Sequence, residues 1–180
     1  MTLTEKALCF AILAHKEQVR KSDGSPYVAH PIMVGMLVKE FGFSEAVVAA
    51  AFTHDVLEDT LVTRADLAAE LGEEVAAIVG AVSENKELPW EERKAQYVAA
   101  VVAADEAVKA VSVADKIHNA ETILNDYEAK GRAVWEVFNR GKEKKMWFEE
   151  LLYTELTTVW QHPLLERYGT VIQKLQALEG

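Results

Sequence analysis

A single cysteine, Cys9, stands among 180 residues. No disulfide can form within the chain, which suits a reducing compartment. Apolar runs of the roughly 18–20 residues that a membrane helix requires are missing. The amino-terminal MTLTEKALCFAILAHKEQ lacks the basic stretch and small-residue cleavage site of a secretory signal. Positive charge is also scarce: 19 Lys and Arg against 29 Asp and Glu leave a net charge of −10. That argues against a general nucleic-acid or anionic-membrane surface, while a small anion can still bind where positive charge is concentrated. Sustained two-residue alternation bounded by turns is absent too, so no strand is expected. The expectation is a cytoplasmic protein without a nucleic-acid or membrane partner.

What is present reads as helix. Half of the residues are apolar, enough for a substantial core, and the length suits one domain. An apolar helical face runs through residues 2–19, where Cys9 reads as a small buried hydrophobe. The Asp23-Gly24 turn and Pro26 follow it. Pro31 reads as the first position of a second helix that Gly42 stops, and Ser44 starts a third. Thr63 with Asp66 starts a short helix ending near Gly72. Further helices are expected over residues 73–82, 90–127 with a break near Asp105, 142–160 and 163–176, with a short segment at 135–139. The reading is an all-α, single-domain bundle over residues 1–180 with no internal repeat.

The chemistry centres on Ala49–Thr60, AAAFTHDVLEDT. At about 100° per residue, His54 and Glu58 lie one turn apart, and Asp55 and Asp59 repeat that relation. All four therefore fit one broad face of a single helix. Like charges at this spacing destabilise a helix, and burying unpaired carboxylates costs more. A cation offsets both penalties, so the stretch reads as a metal site with further carboxylates beside it; a solvated acidic helix end is the alternative. Elsewhere, His30 directly precedes Pro31 in a position open to a cleft. The apolar Ala110–Ala114 run leads into Asp115, and Asn119 lies one turn later, where an amide can orient a substrate or a water. Two His and two Asp would give mixed nitrogen and oxygen ligation with room for water. That set suits Mn²⁺, Fe²⁺, Co²⁺ or Zn²⁺.

These residues carry a resemblance. His30, the adjacent His54-Asp55 and the distant Asp115 resemble the H…HD…D signature of the HD-domain metal-dependent phosphohydrolases. The likeness sharpens for the hydrolase domain of RelA/SpoT-type alarmone enzymes. It rests on Ala14-His15, Arg20-Lys21, Gly24, Pro26-Tyr27, His30-Pro31, His54-Asp55-Val56, Glu58-Asp59-Thr60 and Ala114-Asp115-Lys116 with Asn119. The segment Glu84-Asn85-Lys86-Glu87-Leu88-Pro89 with Glu92-Arg93-Lys94 is similar to a loop of the small alarmone hydrolases. The resemblance covers about residues 8–125. It implies a helical fold holding one Mn²⁺ through His30, His54, Asp55 and Asp115. It implies that Glu58 and Asp59 act on the attacking water and that Asn119 helps position it. The implied substrate is guanosine 3′,5′-bis(pyrophosphate) or its pentaphosphate, losing the 3′-pyrophosphate to leave GDP or GTP.

Phosphates need cations, and the resemblance places Arg20 and Lys21 against the nucleotide. Arg can fork a phosphate or stack on a base, and the neighbouring Lys adds a point charge. Lys86, Arg93 and Lys94 are further candidates. Lys116 is expected to point elsewhere, and His15 and His118 to pack or hydrogen-bond near the site without ligating. Residues 131–180 match alarmone hydrolases poorly; Phe138–Lys142 looks more like other bacterial single-domain HD proteins of unassigned substrate. No synthetase or regulatory segment is evident, so a bifunctional enzyme is not expected. Two alternatives stand: an HD phosphohydrolase of another nucleotide or phosphoester, and a catalytically silent nucleotide-sensing module. A homo-oligomer is left open.

Overall fold

The computed structural model describes residues 1–20, 24–84 and 86–180. Lys21, a substrate-binding candidate, and Asn85 lie outside the described residues. Helix α1 (Leu3–Ala14) opens on a capping box: Thr2 Oγ1 accepts the Glu5 N–H at 3.2 Å, and the Glu5 carboxylate accepts the Thr2 N–H at 2.8 Å. It ends earlier than its apolar pattern predicts because Gln18 is drawn across the molecule. Gln18 pairs with His15 Nδ1 at 2.7 Å and donates to the Asp59 carbonyl at 2.5 Å, and Val19 bridges to Pro26. Cys9 is exposed rather than buried. It falls nearly opposite Ala7 and Ala11, the buried positions of α1.

Helices α2 (Ala29–Glu40) and α3 (Glu45–Phe52) pack closely, because Ala49, Ala50 and Ala51 are fully buried and Gly35 has no Cβ where the Phe52 ring sits. Helix α2 starts two residues before Pro31, so His30 lies inside its first turn and is buried. First-turn N–H groups need no intrahelical partner, which is why Pro31 is tolerated there.

The single helix expected to carry His54, Asp55, Glu58 and Asp59 is two. Helix α3 stops at Phe52, and α4 (Val56–Asp59) begins after Asp55. The Thr53 hydroxyl bonds the Ala49 carbonyl at 2.9 Å, Thr53 N–H folds back to Ala50, and His54 Nδ1 takes the Ala51 carbonyl at 2.8 Å. Side chains thus satisfy carbonyls that the end of a helix leaves unpaired.

Helix α5 (Arg64–Leu71) has the expected Thr63/Asp66 capping box and ends at Gly72, whose φ of +92° favours glycine. Helices α6 (Glu73–Val82) and α7 (Trp90–Ala103) follow. The predicted break falls at Asp105, which caps α8 (Glu106–Lys130) by accepting the Val108 N–H at 3.2 Å. Helix α8 is about 37 Å long, and its buried Val108–Ile117 segment packs against α2, α3, α6 and α7. A 3₁₀ turn (Gly131–Val137) leads to α9 (Gly141–Thr157), which packs on α7, and α10 (Pro163–Ala177), which covers α8. The fold is all-α, with the Val19–Pro26 bridge the only β pairing among the described residues.

Candidate metal centre and substrate groove

Three segments remote in sequence deliver four side chains to one point. The first turn of α2 supplies His30, the α3–α4 turn supplies His54 and Asp55, and the middle of α8 supplies Asp115. One donor atom from each of His30, His54 and Asp115 lies within 4.8 Å of the others. His30 Nε2 is 3.0 Å from Asp115 Oδ1 and 3.6 Å from Asp55 Oδ2; His54 Nε2 is 3.2 Å from Asp55 Oδ2 and 3.6 Å from Asp115 Oδ1. Asp55 caps no backbone group of α4, which leaves its carboxylate free for this cluster.

His54 tests whether the cluster fits a cation. A carbonyl only accepts, so the 2.8 Å contact with Ala51 puts the proton on Nδ1. His54 Nε2 is buried and has no hydrogen-bond partner among the described residues. A lone pair is thereby aimed at two carboxylates, the arrangement seen where an outer contact orients a metal-binding imidazole. His30 has a similar outer contact, with its Nδ1 2.7 Å from His118 Nδ1. Burial, then the neighbouring His30 and Arg20, lower the His118 pKa from 6.5 to about 4. A neutral His118 can accept from His30, which frees His30 Nε2 as a second lone pair. The residues fit a divalent metal.

The charges agree. Burial opposes ionisation of Asp115, but Lys116 at 2.7 Å and the two imidazoles outweigh it and hold its carboxyl well below the usual range. Burial also opposes charge on His54, yet Asp55 and Asp115 raise its pKa well above the ordinary value. Positive charge, whether proton or metal, belongs at His54 Nε2. Tyr27 completes the surround: burial and Asp55 push its hydroxyl far above the ordinary range, so it remains a donor to Asp55 Oδ2 at 2.5 Å.

The flanking candidates are distributed unevenly. Glu58 reaches a cavity of about 160 Å³ that His30, His54, Asp55 and Asp115 also line. Burial raises its pKa, opposed by the Glu84 N–H that it accepts at 2.9 Å. Asn119 lines the same cavity and donates to Asp115 Oδ1 at 2.6 Å. Asp59 faces the adjoining groove and is more exposed. Lys86, a substrate-binding candidate, lines neither space; its Nζ lies 2.9 Å from Asp59 Oδ1 and 3.4 Å from Glu58 Oε2. Arg20 lines both.

That groove has a volume of about 1220 Å³ and shares Arg20, Tyr27, Lys116 and Asn119 with the smaller cavity. Lys116 therefore does not point away, as expected, but pairs with Asp115 in the wall of both spaces. His118 hydrogen-bonds beside the site, as expected, and its partner is His30, which it meets only after α8 packs on α2. Tyr27 belonged to the resemblance, but its bond to Asp55 had no local signal, being that of one polar aromatic in a turn. Residues Val134–Phe148 form much of the far wall.

A family model of the HD domain matches residues 7–140. The chain belongs to the HD-domain family. This HD chain is 39% identical over 126 residues to a probable guanosine-3′,5′-bis(diphosphate) 3′-pyrophosphohydrolase of Synechocystis, a match covering 66% of the chain and 16% of that protein. It is 38% identical over 117 residues to the guanosine-3′,5′-bis(diphosphate) 3′-pyrophosphohydrolase MESH1 of Mus musculus, covering 63% of the chain and 65% of that protein. The HD chain thus spans about a sixth of the Synechocystis relative and about two thirds of the mouse one. The structure of a metazoan orthologue of SpoT that hydrolyses ppGpp superposes with a TM-score of 0.82 over 99% of this chain and 98% of that one. At 24% identity, that likeness shows the fold.

Proposed function

We propose that the chain is a Mn²⁺-dependent hydrolase that removes the 3′-pyrophosphate of guanosine 3′,5′-bis(pyrophosphate), or of its pentaphosphate, leaving GDP or GTP. The observation that carries this reading is the convergence of two imidazoles and two carboxylates at the end of a groove lined with Arg and Lys. The names of the Synechocystis and mouse relatives support the substrate. Residues 1–180 are taken as one HD domain with a core over about 8–125, acting in the cytoplasm, alone or as a homo-oligomer.

His30, His54, Asp55 and Asp115 would hold the metal. When bound, the cation would acidify a water and polarise a phosphoryl oxygen. Glu58 is suited to take a proton from the attacking water, because burial brings its pKa closer to the working pH. Lys86 neutralises part of the charge on Asp59 and Glu58, so the two carboxylates can stay adjacent. Asn119, fixed by Asp115, presents its amide to the cavity, and Tyr27 orients Asp55. Arg20, and Lys21 beside it in sequence, would bind the nucleotide.

Product analysis tests the reading. Guanosine 3′,5′-bis(pyrophosphate) should yield GDP and pyrophosphate with Mn²⁺, and Glu58→Ala should lose about 10²–10⁴-fold in kcat. Orthophosphate from other nucleotides, with no turnover of this one, would move the assignment to the second reading, a different HD phosphohydrolase. The groove wall at Val134–Phe148, outside the resembling residues, is the feature that favours that alternative. Nucleotide binding without turnover of any substrate would point to a silent sensor.

A further inference from the structure

Away from the metal-side cavity, the groove gathers positive charge in a chain whose composition is acidic. The ammonium groups of Lys94 and Lys116 lie 4.4 and 5.5 Å from the centre of the Phe148 ring. Lys145, nearly one turn before Phe148 on α9, lines the same groove. Burial, then Lys116 and Lys145, lower the Lys94 pKa against the pull of Glu84. All three side chains are largely buried and line the groove. Like charges this close repel strongly where water is scarce.

Each lysine has a carboxylate, and Arg93 adds a fourth charge that must share one of them. Lys94 meets Glu84 at 2.5 Å, a partner it shares with Arg93 at 2.9 Å. Lys116 depends on Asp115, which the metal would also claim. Lys145 pairs with Glu149, whose second oxygen accepts the Tyr168 hydroxyl from α10; Glu149 and Tyr168 are fully buried. Glu149 and Tyr168 thus form a rigid base beneath Lys145. An ammonium has three N–H donors. Among the described residues Glu149 takes one, which leaves two for a ligand in the groove that Lys145 lines.

We propose that Lys145, positioned by Glu149 and Tyr168, forms with Lys94 a second anion subsite. It takes the phosphate or pyrophosphate group of the substrate that is not cleaved. This rests on the reading of the substrate as a nucleotide phosphorylated at two positions. The groove joins the metal-side cavity through Lys116 and Asn119, so one ligand can reach both. Lys145 and Glu149 lie on α9, outside the residues that carry the resemblance.

The test is calorimetric binding of GDP to metal-stripped protein in chelator, where turnover plays no part. Lys145→Met alone would strand a buried carboxylate, so the variant is Lys145→Met with Glu149→Gln, which keeps an acceptor for Tyr168. The wild type should bind GDP in preference to guanosine, and the double variant should bind GDP about tenfold more weakly. Equal GDP affinity in the two proteins, or no GDP binding by the wild type, overturns the subsite. If the double variant does not melt cooperatively, acetylation of wild-type Lys145 followed by mass spectrometry decides. Inorganic pyrophosphate should protect it, and absence of protection overturns the proposal. Lys145-dependent GDP binding without turnover of guanosine 3′,5′-bis(pyrophosphate) rejects the hydrolase reading and supports the subsite. Turnover with unchanged GDP binding rejects the subsite alone.

Discussion

The two ring nitrogens of His54 have different tasks: Nδ1 holds the Ala51 carbonyl, and Nε2 faces Asp55 and Asp115. Without metal, those carboxylates raise the His54 pKa. The resulting stabilisation is fully present below the unfolded value, near 6.5, and is lost as pH rises through the folded value. A metal must displace the same proton, so its stabilising effect should grow with pH. Thermal scans over roughly pH 6–8 should show the gap between Mn²⁺-loaded and chelator-treated protein widening; a gap independent of pH would contradict the assignment of Nε2. For Glu58, the raised pKa predicts an acid limb in the rate profile above the ordinary Glu value of about 4.3. Rate must fall as pH drops through that limb, because the base becomes protonated. Glu58→Gln should abolish the limb and retain metal, measured by rate profiles alongside metal analysis; an unchanged limb would move the proton-accepting role to another group.

At the scale of elements, the close approach of α2 and α3 sets where His30 and His54 meet. A Cβ at Gly35 would fall onto the Phe52 ring. Gly35→Ala should therefore cost about 1–3 kcal/mol by overpacking, measured by denaturant unfolding; no loss would show that α2 can move away without penalty. Helix starts were legible where a side chain caps locally: Thr2, Ser44, Thr63 and Asp105 all do so. The interruption at Thr53–Asp55 was not. His54 and Asp55 fit helical periodicity as well as the flanking residues do, and the turn is settled by bonds from the Thr53 and His54 side chains to carbonyls that a helix would have used. The early end of α1 has the same origin in long-range contacts of Gln18.

Across the molecule, a net charge of −10 would repel the proposed anionic substrate, while Arg20, Arg93, Lys94, Lys116, Arg140 and Lys145, which line one groove, would draw it there. Binding through such a local field should weaken with salt: KM should rise several-fold between about 50 and 300 mM NaCl with kcat little changed. Initial-rate kinetics checks this, and a salt-independent KM would mean that the groove cations are satisfied internally. Asp55 and Asp115 were legible as parts of a buried site, because carboxylates after apolar runs signal a buried partner, while the full ligand set with His30 came from the resemblance. The individual residues of the groove wall were not legible, because Lys145 and Phe148 reach the site only when α9 folds back onto α7. Lys86 shows the opposite limit. Its sequence neighbourhood suggested substrate, and the structure pairs it with Asp59 and Glu58.

The metal centre is tested most directly by titrating Mn²⁺ into metal-stripped protein while following turnover of guanosine 3′,5′-bis(pyrophosphate). Activity should be absent at the start and should saturate at one equivalent per chain. His54→Ala should show neither tight binding nor recovery. Full activity in the stripped protein, or unimpaired recovery in His54→Ala, would contradict a catalytic metal held by His30, His54, Asp55 and Asp115.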